Sequence, residues 1–188
     1  MGRRTETTEY LKECIADALL RLMETQPVDK IKIQDITDLA GVGRMTYFRY
    51  FSSKGEVLSY KLHLLWSAWA QGHPYPHQGG PADQALWFFS FCASLQPLLA
   101  LLHRQGQHQV LLEVFLREVV GAIDPTVPGF YPRMYAGYGI LGVLMGWLQN
   151  GFRERPEDLA RLVLLPTWEG EDKKRTGPEG PVPPGQGA

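Results

Sequence analysis

Residues 33–54 read IQDITDLAGVGRMTYFRYFSSK, and the fold turns on how this stretch is read. Ile33, Ile36, Leu39 and Ala40 recur at helical spacing. Gly41 follows where a helix end takes a left-handed residue without steric cost. After the Gly41-Val42-Gly43 turn, Arg44 to Phe51 forms a second short helix. Its Tyr47, Phe48, Tyr50 and Phe51 cover more than one face, so they cannot all be buried. Two short helices joined by a glycine turn have the form of a helix-turn-helix, whose second helix can enter the major groove. Charge supports this locally. From Gly41 to Lys54 the charged residues are Arg44, Arg49 and Lys54 with no Asp or Glu, whereas the whole chain of 188 residues carries a formal charge of only -1.

Outward from this stretch the pattern stays helical, which predicts an all-α chain. Upstream, Leu11, Ile15, Ala18, Leu19, Leu22 and Met23 form one apolar stripe, with Thr7 or Thr8 as N-cap and Pro27 as the stop. Downstream, Ser53-Lys54-Gly55-Glu56 has capping-box spacing and opens a helix through Leu58, Leu62, Leu65, Trp66 and Trp69 to Gly72. The Pro- and Gly-containing stretch from His73 to Pro81 is a loop. Ala82 to His103, broken at Pro97, and Gln107 to Ile123 are the next helices. A second loop spans Asp124 to Pro132, an uncharged helix runs from Arg133 to Phe152, and a last one starts at Pro156, with Glu157 and Asp158 in its first turn. From Gly170 onward glycine, proline and charge predict a disordered tail.

In register over residues 33–54, with Asp-Ile, Ala-Gly-Val, Thr46, the aromatic cluster ending in Phe51, and Lys54, the chain resembles the TetR/AcrR family of transcriptional regulators. A fainter likeness returns at Gly146 to Phe152 and Pro156 to Ala160. The resemblance implies an N-terminal three-helix DNA-binding domain at 1–54, a helical dimerisation and effector bundle at 55–169, and the tail at 170–188. It implies a homodimeric repressor that binds a palindrome in double-stranded DNA and is released by a small apolar or aromatic effector. DNA contact is assigned by the resemblance to Lys32, Gln34, Gly43, Arg44, Met45, Thr46, Tyr47, Arg49, Tyr50 and Lys54. With three cations per subunit on phosphate, log affinity should fall with log salt at a slope of about -5. The chain departs from the family pattern at Lys32, where Thr or Ser is usual, at Gly43 for Ser, at Met45 for Gly, and at Phe48 for Tyr. Met45 is suited to a thymine methyl.

Trp66, Trp69, Trp87, Phe88, Phe91, Tyr135 and Tyr138 are the expected lining of an effector pocket, although packed cores have the same composition. Gly137, Gly139, Gly142 and Gly146 allow close approach to the same helix of a second subunit. A competing reading of this segment as a membrane span is weakened by four glycines with Gln149 and Asn150. Cys14 and Cys92 are far apart and lie in apolar helical patterns, as reduced cytoplasmic thiols do. The N-terminus has no apolar secretion segment. His73 and His77 cannot be aligned by a helix through Pro74 and Pro76, so no metal or cofactor is expected. With no nucleophile–base or phosphate-loop motif, the chain is read as a binder, not an enzyme. The alternative from another class is a helical small-molecule-binding protein with a vestigial helix-turn-helix, which the weak overall charge suggests.

Overall fold

The computed structural model describes residues 2–121, 126 and 128–162, with side chains from residue 7 onward. Among these residues every regular element is helical. Helix α1 (Gly2–Thr25) buries Ile15, Ala18, Leu19 and Met23, the centre of the expected stripe. It begins earlier than expected, so Thr7 and Thr8 lie inside it and not at its N-cap. A 3-10 turn at Val28–Lys30, which the sequence pattern did not announce, leads into α2 (Ile33–Ala40). Lys32 at the N-cap of α2 has no oxygen to offer the helix. Instead the Asp35 carboxylate reaches back to accept from the Lys32 backbone N–H at 3.1 Å.

Gly41 closes α2 at φ +67°, and the Val42 N–H donates to Thr37 O at 3.0 Å, which turns the chain sharply into α3 (Arg44–Tyr50). Helix α4 (Lys54–Gly72) starts at Ser53, whose Oγ accepts from Glu56 N at 3.1 Å. Its reciprocal partner differs from the capping-box expectation: Glu56 accepts from the backbone N–H and hydroxyl of Ser52. These bonds hold the Glu56 carboxyl below its ordinary value, the backbone one foremost. The first half of α4 belongs to the N-terminal core, through buried Val57, Leu58 and Leu62 and through Tyr60, which packs on Phe51 and donates to Glu9.

The rest of the chain packs around an aromatic centre. Helices α5 (Pro81–Ser94) and α6 (Gln96–Arg104) meet at Leu95 with a bend of 76°, and Pro97 sits in the first turn of α6, where a missing N–H costs no helical bond. Helix α7 (His108–Val120) packs against α4 and α8. Helix α8 spans Phe130–Gln149, earlier than expected, because Pro132 also fits a first helical turn rather than a loop. Helix α9 (Pro156–Leu162) buries Leu159 and Ala160 and packs against α5. Phe88, Phe89, Phe91, Phe115 and Trp147 interlock mainly edge to face, for example Phe89 with Trp147 at 6.0 Å.

The four glycines of α8 do not share one role. Gly139, Gly142 and Gly146 lie on the exposed side, but Gly137 is buried, and a Cβ there would stand 2.3 Å from Val120 Cγ2. Gly137 therefore lets α8 approach α7 within the subunit. Gly137→Ala is expected to lose about 1 kcal/mol, since overpacking of about 2 kcal/mol outweighs the helix gain of about 1 from replacing glycine. A raised midpoint in urea would refute this close packing. No single helix among the described residues is long and apolar enough to cross a membrane. The expected tail at 170–188 lies outside the described residues.

Candidate nucleic-acid interface

Helix α3 turns by about 100° per residue, so Arg44, Phe48, Met45 and Arg49 follow one another around an arc of about 140°. All four are exposed, with Met45 at 78% and Phe48 at 52%. Tyr47 and Phe51 occupy the opposite side at 0% and 3%, packed edge-on or tilted against their neighbours. Thr46 and Tyr50 lie half-buried at the margins, and the Lys12 ammonium stands 6.0 Å from the Tyr50 ring centre. The outward arc is thus two guanidiniums bracketing two apolar side chains. Neither arginine forms an ion pair among the described residues, so both remain free to meet an anion.

The neighbouring elements complete the surface. Gly43, the N-cap of α3, is exposed, with open space where a Cβ would stand. Lys32 and Gln34 are exposed at the start of α2. Gln34 donates to Asp38 at 2.6 Å, so that carboxylate is occupied within its own helix. Phe48 was missing from the contact set expected from sequence. The helical period could have found it, since it falls between Arg44 and Met45.

Two expected contacts are corrected. Tyr47 faces the core because α1, α2 and α4 close over that side of α3. Its hydroxyl has no partner among the described residues, and burial, with help from the Glu56 charge, pushes its pKa up to about 12. It cannot reach a groove. Tyr47→Phe, which removes a buried unpaired hydroxyl, is expected to raise stability by about 1 kcal/mol in a denaturant titration and leave DNA affinity unchanged. A tenfold loss of affinity would restore Tyr47 to the interface. Lys54 is also engaged: its ammonium donates to the Val28 carbonyl and, at 3.0 Å, to the Ile31 carbonyl. These oxygens flank the turn before α2, so Lys54 ties α4 to the start of the helix-turn-helix.

A second site lies in the C-terminal bundle. A cavity of about 560 Å³ opens between α4, α5, α7 and α8, walled by Trp66, Tyr75, Trp87 and Phe88 with Glu118 and Arg133 among its polar groups. Of the expected lining, Trp66, Trp87 and Phe88 are there. Trp69 instead stacks on His73 at 3.6 Å, and Phe91 is fully buried between Trp66 and Phe115. Tyr135 and Tyr138 are 76% and 54% exposed on the other side of α8, because the cavity takes Arg133, Ala136, Gly137 and Ile140 at helical spacing. Tyr75 went unnoticed because the loop that brings it onto Trp87 has no periodicity to read.

Residues 15–60 match the family model for bacterial regulatory proteins of the tetR family. The matched segment contains all of α2 and α3, the C-terminal part of α1 and the first turns of α4. A search of curated proteins finds no match.

Proposed function

We propose that the chain, whose residues 15–60 match the model for bacterial regulatory proteins of the tetR family, is a DNA-binding transcriptional regulator of that family, a homodimeric repressor of a palindromic operator released by an apolar or aromatic effector. The observation that carries the DNA-facing half of this reading is the acid-free arc of Arg44, Phe48, Met45 and Arg49. Such an arc has little use in a protein that meets only water, since it leaves two large apolar groups exposed between two unpaired cations. Its act is binding, not catalysis. Arg44, Arg49 and Met45, with Gly43, Thr46, Lys32, Gln34 and Tyr50 around them, meet the DNA. The partner subunit presents the same surface to a second half-site about one helical turn away.

For the dimer we assign the outer face of α8, where Tyr131, Tyr135 and Tyr138 stand exposed beside Gly139, Gly142 and Gly146. Gly142→Arg is expected to halve the sedimenting mass with helical content unchanged. An unshifted dimer would place the interface elsewhere. The aromatic cavity supports the effector, since its size and apolar walls suit a small ring-bearing molecule. Selection of bound duplexes from a random DNA library by the full chain, at low and moderate salt, tests the whole. A palindromic consensus is expected. No enrichment at low salt overturns the reading.

A further inference from the structure

The recognition arc is unusual in its centre. Met45 and Phe48 are three residues apart on α3 and therefore adjacent on one face, and both are among the most exposed large apolar side chains of the described residues. Nothing among the described residues covers them. The glycine turn before α3 and the packing of Tyr47 and Phe51 fix the phase of the helix so that this pair points outward. Arg44 and Arg49 bracket the pair on either side. Whatever docks here must present anions at its edges and apolar groups at its centre.

In the major groove only one base carries an apolar group on its exposed edge, the C5-methyl of thymine. Guanine, cytosine and adenine present donors and acceptors that Met45 and Phe48 cannot satisfy. We propose that Met45 and Phe48 are specificity-determining residues that read thymine methyls, so that each operator half-site carries thymine at the steps facing the centre of α3. This rests on the DNA-binding reading above and adds the base identity to it. The two guanidiniums meet flanking phosphate or guanine and set the register, while the apolar pair selects the base. Burying a methyl between the Met45 thioether and the Phe48 ring removes apolar surface on both sides, and at Met45 the flexible chain adapts to the groove at little strain.

The test uses the full chain and the duplexes it selects from a random library. Each thymine facing α3 is replaced by deoxyuridine, which keeps base pairing and removes only the methyl. Binding is expected to weaken about fourfold per methyl lost, or about sixteenfold for one position changed in both half-sites. Met45→Ala and Phe48→Ala, both exposed and so neutral for folding, are expected to bind thymine and deoxyuridine duplexes alike at the position each reads. A consensus without thymine at those steps, or equal binding of both duplexes by the unaltered protein, overturns the proposal while the DNA-binding reading stands. If no duplex is enriched, the DNA-binding reading itself falls, and this one with it.

Discussion

Arg44→Ala combined with Arg49→Ala is expected to abolish operator binding while leaving fold and dimer intact. Both guanidiniums are exposed, and neither holds an ion pair among the described residues, so their removal costs the native state no more than about 0.5 kcal/mol. A dimer loses four cations. At about 1 kcal/mol for each contact, the loss is about 4 kcal/mol, or about a thousandfold in affinity. Salt dependence gives a second readout. Because Lys54 spends its ammonium on Val28 and Ile31, the phosphate count expected from sequence drops from six per dimer to four. The slope of log affinity against log salt should then be about -4 instead of about -5. In the double variant it should become much shallower, since Lys32 is then the only cation left in the contact set. Circular dichroism and sedimentation should match the parent. Retained binding to the selected palindrome would show that the arc of α3 is not the DNA surface and would favour a vestigial helix-turn-helix.

Lys54→Met is expected to act on stability, not on salt dependence. A lysine at the first position of α4 sits against the positive end of that helix dipole, an unfavourable place for a cation. The placement holds because the side chain leaves the helix to donate to two carbonyls around the 3-10 turn, and such charge-assisted bonds at half-buried sites are among the stronger ones. Methionine keeps the apolar stem but takes the ammonium from the Ile31 oxygen and leaves the Val28 oxygen only the Ile31 N–H at 3.3 Å, a loss of about 2 kcal/mol. That corresponds to a melting temperature lower by about 4–8 °C for a chain of this size. Operator affinity should fall only as far as the turn loosens, with the slope unchanged near -4. A slope that dropped by about 2 with stability intact would return Lys54 to the phosphates, as the family resemblance had it.

Much of the helix-turn-helix was legible because its signals are local. Gly41 ends α2 in a conformation that other residues resist, Ser53 caps α4, and the apolar spacing in α1 needs no distant partner. The interface residues were legible only in part. The four aromatics of α3 announce that some must face out, yet they do not say which. That choice belongs to α1, α2 and α4, which cover Tyr47 and Phe51 and leave Phe48 bare. The same limit explains the cavity. The composition of α8 suggests an aromatic wall, but whether Tyr135 or Arg133 faces inward depends on how α8 lies against α7, and Gly137 decides that.

Long-range polar contacts were beyond reach for a related reason. Gln105, in the turn between α6 and α7, donates to Met23 O at 2.7 Å and Gln26 O at 3.1 Å and accepts from Val28 N at 2.9 Å. It thereby joins the C-terminal bundle to the end of α1, across a separation of 77 to 82 residues. No periodicity or motif marks such a residue, because a glutamine in a turn reads as solvated until the facing carbonyls are known. Helix order, the turn at Gly41 and the cationic recognition helix are therefore written in the residues themselves, since each depends on neighbours within a few positions. The inward turn of Tyr47, the engagement of Lys54 and the outward apolar centre at Met45 and Phe48 come from packing, because spacing fixes which residues share a face while only the surrounding helices fix where that face points.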